Sequence, residues 1–197
     1  MVGGRWDELG RHQFEFLRAQ GLRPEHYFLD IGCGSLRGGI HAIDYLAPAH
    51  YFGIDVNRSL LKGARQELRL ADLENKKPDL RVSDNFEVGI FGQQFDYVLA
   101  FSVFTHVFAN QLVRCLTEVR RVLAPDGRFF ATFFMAPERA HLAPITHQPG
   151  GFTTQYDRDP FHYSREEFQI LADLAGLSVE FVPGLNHPCA QQMLVFT

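Results

Sequence analysis

The stretch FLDIGCGSLRGG, residues 28–39, constrains the fold more than any other part of the sequence. Its apolar run is typical of a buried strand, and the acid Asp30 lies near the end of that strand. Gly32 and Gly34 follow directly, and residues without a Cβ allow the backbone to come close to a ligand. The stretch therefore predicts a buried strand that leads into a ligand-binding turn.

Composition predicts one globular domain with little attraction for nucleic acid. The chain has 197 residues, of which 46% are apolar and 21% are charged, enough for one substantial core. A net charge of −4 and only three lysines provide no basic field for a phosphate backbone. We therefore expect no nucleic-acid partner.

The cysteines and the apolar runs favour a cytoplasmic protein without membrane insertion. Cys33, Cys115 and Cys189 are odd in number and widely spaced, which fits neither a disulfide framework nor a CxxC metal site. The first ten residues, MVGGRWDELG, have no apolar signal core, and no segment reaches the uninterrupted apolar length of a membrane helix. The oligomeric state has no signature in the sequence.

Periodicity predicts strands that alternate with helices. The predicted strands are HYFLDI, HYFGID, FDYVLAFS, RFFATFF after a PDG turn, SVEFV and QQMLVF. The predicted helices are a leading helix that ends near Gly21, RSLLKGARQELRLADL with Asn57 as N-cap, QLVRCLTEVRRVL, and a helix from the Ser164 and Glu167 capping box to Gly176.

This order predicts an α/β fold with a mostly parallel sheet and helices on both faces. Ligands in such sheets bind beyond the carboxyl ends of the strands, where the strand order reverses. The glycine turn lies at such an end, and we expect Gly38 and Gly39 to let the next helix lie close to the sheet. Asp55 ends the second strand, where a carboxylate accepts hydrogen bonds from ribose hydroxyls. A nucleoside-containing cofactor follows as a hypothesis.

The spacing of the glycines favours a cationic ligand over a dinucleotide. The dinucleotide fingerprint requires its third glycine where Arg37 stands. The Asp30 carboxylate would repel a pyrophosphate but attract an amino group or a sulfonium. None of the three lysines follows a tyrosine at the spacing Tyr-x-x-x-Lys. A nicotinamide-dependent oxidoreductase is therefore the alternative, not the preferred function.

The sequence resembles the class I S-adenosylmethionine-dependent methyltransferases over nearly its whole length. The segments that carry the resemblance are DIGCG (30–34), FGIDVN (52–57), SDN (83–85), FDYVLAFSVFTHV (95–107) and LAPDGRFFATFF (123–134). The resemblance implies a three-layer Rossmann-like fold, whose seven-stranded sheet has its last strand, QQMLVF, antiparallel. It implies a single methyltransferase domain over 1–197, with a helical segment at 1–24 and a substrate-covering loop at 136–163.

The resemblance also implies the cofactor, S-adenosyl-L-methionine, with S-adenosyl-L-homocysteine as product. Asp30 and the glycines match the loop around the methionine part, Asp55 matches the ribose acid, and Asp84 with Asn85 matches the adenine contact. The expected cofactor-binding residues are Asp30, Gly32, Cys33, Gly34, Ser35, Arg37, Asp55, Val56, Asp84, Asn85 and Ser102.

Three of these assignments have simpler alternatives. Asp30 is also suited to capping a helix, Asp55 to a strand end that is merely exposed, and the glycines to an ordinary turn. Cys33 is interpreted as a small buried side chain beside the cofactor and not as a nucleophile, since no neighbouring histidine activates it.

Only residues from about 84 to 94 connect the third and fourth strands, so the helix there is expected to be short or irregular.

His106 is the candidate general base, because imidazole titrates in the useful range and a hydroxyl acceptor must lose a proton. A histidine in an apolar stretch is equally often structural. Candidate substrate-binding residues are His106, His147, Tyr156, His162, Asn186 and His187. The spacing of His141, His147 and His162 matches no compact metal motif, so no metal is expected.

The acceptor is predicted to be a small molecule that is methylated at oxygen. The fourth strand lacks the Asn/Asp-Pro-Pro-aromatic motif of nucleic-acid amino-methyltransferases, which disfavours base methylation. A cofactor-binding module without turnover is the remaining alternative.

Overall fold

The computed structural model describes residues 6–137, 142–185 and 187–197. The chain divides into two compact units, residues 1–99 and 100–197. Asn186 and His141, both named above, lie outside the described residues. The single domain over 1–197 stays a prediction.

The first unit is built on a parallel sheet. Its strands are β1 (Phe28–Ile31), β2 (Tyr51–Asp55), β3 (Asp79–Val82) and β4 (Phe95–Ala100). The order across the sheet is β3-β2-β1-β4, with every neighbour parallel. Phe28 is in register with Tyr51 on one side and Tyr97 on the other. The strand order therefore reverses between β1 and β4, which places the glycine turn at the switch point, as predicted.

Three α-helices belong to the first unit: α1 (Trp6–Ala19), α2 (Gly39–Tyr45) and α3 (Arg58–Leu70). The first ends two residues before Gly21, whose φ of 95° is left-handed. The third is shorter than predicted, because the chain turns at Ala71 and Asp72 has a φ of 54°. The connection between β3 and β4 forms only one 3-10 turn, Gly89–Phe91, which confirms the expected short crossover.

The second unit combines two helices with six strands among its described residues. They are α4 (Ala109–Val122), β5 (Leu123–Met135), β6 (Ile145–His147), β7 (Phe152–Thr154), β8 (His162–Tyr163), α5 (Arg165–Ala175), β9 (Val179–Val182) and β10 (Gln192–Phe196). The last strand is antiparallel to β5 and to β9, as the family resemblance implied. Mostly parallel strands with an antiparallel last strand confirm the predicted α/β class.

Two parts of the second unit differ from the sequence prediction. The strand β5 begins at Leu123 and includes the PDG sequence that was predicted to be a turn. Leu123 already has extended backbone, with φ −73° and ψ 130°, directly after the last residue of α4. The expected loop 136–163 contains the hairpin β6-β7 and the strand β8, which pairs with β5. Backbone pairing thus orders much of a segment in which the sequence shows no periodicity.

Phenylalanines form the core of the second unit. Phe104, Phe129, Phe133, Phe168 and Phe196 have no exposed surface. Ring centroids lie 4.7 Å apart for Phe133 and Phe168, and 6.0 Å apart for Phe104 and Phe168. Each buried ring contributes roughly 1.5–3 kcal/mol through the hydrophobic effect. The 3-10 turn Phe104–His106 is therefore anchored in the core at its first residue.

Both predicted N-caps are present. The Asn57 side chain accepts hydrogen bonds from Ser59 N–H at 2.9 Å and from Leu60 N–H at 3.4 Å. The Ser164 hydroxyl accepts from Glu167 N–H at 3.1 Å, and the Glu167 carboxylate accepts from Ser164 N–H at 2.6 Å. Because these bonds satisfy amides that have no partner within the helix, they determine where α3 and α5 begin.

We expect Asn57→Ala to lower the free energy of unfolding by about 0.5–2 kcal/mol, the usual cost of removing an N-cap. Asn57 is exposed, so the substitution removes hydrogen bonds without opening a cavity. Urea denaturation followed by far-ultraviolet circular dichroism measures the change. Asn57→Asp is the matched control, because aspartate caps as well as asparagine. An equal loss in both variants would contradict the capping role.

Candidate functional site

The glycine turn after β1 leaves open space beside its backbone. Gly32 and Gly34 have φ values of 72° and 54°, which L side chains rarely adopt. A Cβ built on Gly34 would meet no atom within 4 Å. The N–H groups of Gly32 and Cys33 both donate to the Ile54 carbonyl, at 2.8 and 3.0 Å, which ties the turn to β2. The turn is thus held from one side and open at Gly34.

The two later glycines serve close packing in different places. A Cβ on Gly39 would collide with the Tyr51 hydroxyl, so α2 lies against the sheet at that point, as predicted. A Cβ on Gly38 would instead collide with the Gln13 side chain of α1. The expectation that Gly38 faces the sheet was therefore wrong: its contact is with a helix, because α1 packs beside α2.

Asp30 is a buried acid at the end of β1. Its side chain is 8% exposed, and its Oδ2 accepts a hydrogen bond of 2.6 Å from the Tyr51 hydroxyl. The pKa of Asp30 is raised from 3.8 to about 7, mainly by burial; the Tyr51 hydrogen bond opposes this rise, the charge of Asp55 adds to it, and the charge of Arg37 opposes it. At neutral pH this carboxyl is therefore close to its titration midpoint, and a nearby cation would favour its ionised form.

Asp55 holds together two turns of the first unit. Its Oδ2 accepts from Gly34 N–H at 2.9 Å, and its Oδ1 accepts from Asn57 N–H at 2.7 Å. The side chain is 8% exposed, so the interpretation as a merely exposed strand end is wrong. Each carboxylate oxygen has a second lone pair, and both oxygens keep the capacity to accept another hydrogen bond.

Cys33 has the environment of an unreactive thiol. Its side chain is buried, and a Cβ on Gly53 would come 2.9 Å from its Sγ. Burial, together with the negative charges of Asp30 and Asp55, raises the pKa of the Cys33 thiol well above its usual value. Because the thiolate is the nucleophilic form, this environment agrees with the interpretation of Cys33 as a packing residue.

The remaining predicted cofactor residues of the first unit lie on less buried turns. Ser35 and Arg37 are half-buried within the glycine turn, and Val56 is exposed directly after Asp55. Asp84 is exposed after β3, while the Asn85 amide donates to Glu87 Oε1 at 2.7 Å. Their assignment to a cofactor stays a prediction.

Ser102 follows β4 and belongs to the second unit. Its φ is 59°, a left-handed value for a residue with a side chain. Ser102 N–H donates to Thr132 Oγ1 at 2.7 Å, and its hydroxyl donates to Gln191 Oε1 at 3.1 Å. The hydroxyl is thus held by a buried amide, which agrees with a shaping role and not with a reactive one.

His106 pairs with an acid that the sequence analysis did not single out. Its Nδ1 lies 2.6 Å from Asp159 Oδ1, and both side chains are more than half exposed. Asp159 is 53 residues further along the chain, so no local pattern connects the two. The structure therefore gives the candidate base a carboxylate partner.

Two of the predicted substrate histidines form a buried cluster with Thr154. The Thr154 Oγ1 lies 2.8 Å from His147 Nε2 and 2.8 Å from His162 Nδ1. Burial, helped by His162, lowers the pKa of His147 below its usual value. All three side chains are less than one tenth exposed, so this cluster supports the β6-β7 hairpin from within.

The other predicted substrate residues are separate from this cluster. Tyr156 is 53% exposed. His187 is buried, with its ring 5.1 Å from that of Phe101. Among residues 6–137, 142–185 and 187–197, no cluster of three or more histidine, cysteine or acidic side chains is arranged to hold a metal ion.

The sequence analysis missed four residues that contact the predicted site residues: Tyr51, Thr154, Asp159 and Gln191. Tyr51 had an available signal, because it lies four residues before Asp55 in the predicted strand HYFGID. The other three depend on contacts between residues 7 to 89 positions apart, for which periodicity carries no information.

In the part of the chain that the structure describes, no helix is both long and apolar enough to cross a membrane.

Comparison with known proteins begins with a family match. Residues 29–129, just over half of the chain, match the family described as methyltransferase domain. The matched range includes the glycine turn, Asp55 and His106.

Two curated relatives are methyltransferases. A fatty-acid O-methyltransferase of Mycolicibacterium smegmatis is 29% identical over 129 residues, which are 64% of this chain and 44% of the relative. A demethylmenaquinone methyltransferase of Symbiobacterium thermophilum is 26% identical over 132 residues, 66% of this chain and 49% of the relative. The chain thus spans just under half the length of these relatives.

Solved structures show the same fold at low identity. An S-adenosylmethionine-dependent methyltransferase from Clostridium acetobutylicum aligns with a TM-score of 0.71 at 13% identity, covering 100% of this chain and 93% of that one. The CcbJ methyltransferase from Streptomyces caelestis gives 0.71 at 17% identity, covering 95% and 88%. CalS10, an amino pentose methyltransferase from Micromonospora echinaspora solved with S-adenosylmethionine, gives 0.70 at 18% identity, covering 99% and 92%. The chain therefore belongs to the methyltransferase domain family, and its fold is that of the S-adenosylmethionine-dependent methyltransferases.

Proposed function

We propose that the chain binds S-adenosyl-L-methionine and transfers its methyl group to a small-molecule acceptor, preferentially at oxygen. The observation that carries the proposal is a pair of buried carboxylates, Asp30 and Asp55, at the ends of adjacent parallel strands beside an open glycine turn. Carboxylates are costly to bury, and Asp30 and Asp55 accept only one and two hydrogen bonds from described residues, so a ligand with cationic and hydroxyl groups would stabilise both.

The residues of the turn fit the methionine part of this cofactor. Asp30 carries the charge that a sulfonium or an ammonium group requires nearby. Arg37 is close enough to lower the pKa of Asp30, and its guanidinium suits the carboxylate at the same end of the ligand. Gly34 leaves room for backbone approach, since nothing lies within 4 Å of its Cβ position. The turn thus offers both charges that an amino acid needs.

The adenosine part would be held by polar groups after β2 and β3. Asp55 has acceptor capacity for the ribose hydroxyls on both oxygens. Asp84 and Asn85 follow β3, the strand next to β2, and would contact the adenine. Val56 is 67% exposed and would give the ring an apolar surface.

S-adenosylmethionine supplies a methyl group that is already activated on sulfur, and its transfer to a hydroxyl leaves S-adenosylhomocysteine and one proton. Positioning then contributes much of the acceleration. His106 is the residue proposed to take the proton. Candidate acceptor contacts are the exposed Tyr156, the buried His147, His162 and His187, and Asn186, which lies outside the described residues.

A small acceptor is supported by the names of the relatives, which act on a fatty acid and on demethylmenaquinone. We extend the proposal to one methyltransferase domain over 1–197, with the segment 136–163 covering the acceptor. A cytoplasmic location accords with three cysteines that all remain thiols. The alternatives are an oxidoreductase that uses a nicotinamide and a binding module without turnover.

Calorimetric titration with S-adenosylmethionine, S-adenosylhomocysteine and NADH tests the proposal, after removal of any copurified ligand. Binding of the first two without the third supports it. Binding of NADH alone would refute it. Tight binding of S-adenosylmethionine without methyl transfer to any of a broad set of phenols, alcohols and carboxylic acids would favour the binding module.

We expect Asp55→Ala to weaken S-adenosylhomocysteine binding by about 1–3 kcal/mol, the usual loss for hydrogen bonds to a charged group. Titration calorimetry measures the change, with circular dichroism to verify folding. Asp44→Ala is the matched control, because it removes the same charge from an exposed position on α2 of the same unit. Unchanged affinity in folded Asp55→Ala protein would exclude the ribose assignment.

Binding should also depend on pH through Asp30. The pKa of the Asp30 carboxyl is about 7 without ligand. Below that pH the carboxyl is protonated, so binding of a cationic ligand requires Asp30 to lose its proton. Affinity for S-adenosylhomocysteine should then fall by about tenfold for each pH unit below 7 and level off above it. Asp30→Asn should bind weakly at every pH and lack this slope. Wild-type affinity that stays constant from about pH 5.5 to 7.5 would contradict the role of Asp30.

A further inference from the structure

We infer that Asp159 is a positioning residue for His106: it holds the imidazole with its proton on Nδ1, so that Nε2 accepts the proton of a hydroxyl-bearing acceptor, a phenol or an alcohol. The inference rests on the proposed function and deepens it by naming the acceptor class. Its basis is a contact between two segments that are tied together on both sides of His106.

The pair is part of an ordered ladder, not an isolated surface contact. On one side of His106, the Thr105 carbonyl accepts a hydrogen bond of 2.7 Å from Phe161 N–H. On the other side, the Val107 carbonyl accepts a hydrogen bond of 2.6 Å from the Tyr163 hydroxyl. Asp159, two residues before Phe161, reaches His106 between them. Surface ion pairs usually lose stability to side-chain entropy, whereas here the backbone already sets the spacing.

Packing makes this ladder rigid. Thr105, Phe161 and Tyr163 are buried, and the Phe161 ring lies 4.7 Å from that of Phe108. The 3-10 turn that carries His106 begins at the fully buried Phe104. Both segments are therefore anchored close to the pair, which is what holding a side chain in one orientation requires.

The chemistry of the contact determines which nitrogen carries the proton. An ionised carboxylate only accepts hydrogen bonds, so a distance of 2.6 Å between Asp159 Oδ1 and His106 Nδ1 requires a proton on Nδ1. In the neutral ring, Nε2 then carries the free lone pair. Because 55% of the His106 side chain is exposed, the ring is accessible to an acceptor. A base that is oriented by a third group is the general arrangement for activating a weak nucleophile.

The charged residues next to Asp159 in the chain, Asp157 and Arg158, pair with each other and not with His106. Arg158 Nε lies 3.5 Å from Asp157 Oδ1, which is an ion pair between adjacent residues of the segment. Within the described residues, Asp159 is the charged side chain that contacts His106. A general base at this position favours hydroxyl acceptors, which must lose a proton before or during methyl transfer. A carboxylate acceptor is already ionised at neutral pH and needs no general base.

The first test reads the tautomer directly and needs no acceptor. Long-range proton–nitrogen NMR spectra of nitrogen-labelled protein, assigned with His106→Gln, are recorded about two pH units above the ordinary histidine value. We expect the Nδ1–H form to predominate in the wild type and the Nε2–H form, which free histidine prefers, in Asp159→Ala. Asp157→Ala is the matched control, with the same charge change two residues away, and should resemble the wild type. An unchanged tautomer in Asp159→Ala would overturn the inference.

The second test measures S-adenosylhomocysteine formation from S-adenosylmethionine with catechol and with octanoate as probes. We expect Asp159→Ala to lower kcat for catechol by about 10–100-fold, part of the usual contribution of a general base, and to leave KM within about twofold. Asp157→Ala, the matched control, should keep the wild-type kcat and KM for catechol. Asp159→Glu should restore part of the rate.

The outcomes separate the inference from the proposed function. Catechol turnover that does not change in Asp159→Ala, or a wild type that methylates octanoate alone, would refute the role of Asp159 in proton removal. A wild type that binds no S-adenosylhomocysteine refutes the proposed function. If the wild type binds it but turns over neither probe, the tautomer measurement alone decides whether Asp159 positions His106.

Discussion

The site of the first unit depends on the two hydrogen bonds that the Asp55 carboxylate accepts. One oxygen accepts the Gly34 amide from the turn after β1, and the other accepts the Asn57 amide at the start of α3. A single side chain thus accepts hydrogen bonds from a residue 21 positions before it and from a residue two positions after it. Without it, the turn after β1 would lose its hydrogen bond to the end of β2, and the start of α3 would lose the bond at Asn57 N–H. The same carboxylate is also the group proposed to bind ribose, so scaffold and ligand share its lone pairs.

Burial of acids is the common feature of this edge of the sheet. Asp30 is held by one hydrogen bond from Tyr51, and burial raises its pKa to about 7. The apo protein therefore keeps a carboxyl that is only partly ionised at neutral pH. A cation beside it would restore the charge, and this coupling is the physical reason why a sulfonium-bearing cofactor is favoured over a pyrophosphate. Cys33, in the same surroundings, becomes less reactive for the same reason: nearby negative charge and low polarity disfavour a thiolate.

The second unit uses a different principle to position its polar groups. A phenylalanine core anchors the turn at Phe104. The carbonyls on either side of His106 accept hydrogen bonds from Phe161 N–H and from the Tyr163 hydroxyl. The pair of His106 and Asp159 is exposed, so its orientation comes from the rigid segments beneath it and not from burial. The buried cluster of His147, Thr154 and His162 supports the hairpin of the same segment. One stretch of chain thereby supplies both a structural cluster and Asp159, the partner of His106.

The sequence by itself determined the α/β class, the strands that correspond to β1, β2, β4, β5, β9 and β10, the N-cap at Asn57, the capping box at Ser164 and the short crossover after β3. These features depend on neighbours within a few residues, where periodicity and hydrogen-bonding side chains act locally. It also identified the glycine turn and Asp55, because a strand end followed by glycines leaves a local signature. Only the tertiary structure decided that Gly38 packs against α1, that β5 begins at Leu123, that Tyr51 bonds Asp30 and that Asp159 pairs with His106. Those contacts arise when segments distant in the chain pack together, and the shape of the packed core, not any local pattern, brings their side chains within hydrogen-bonding distance.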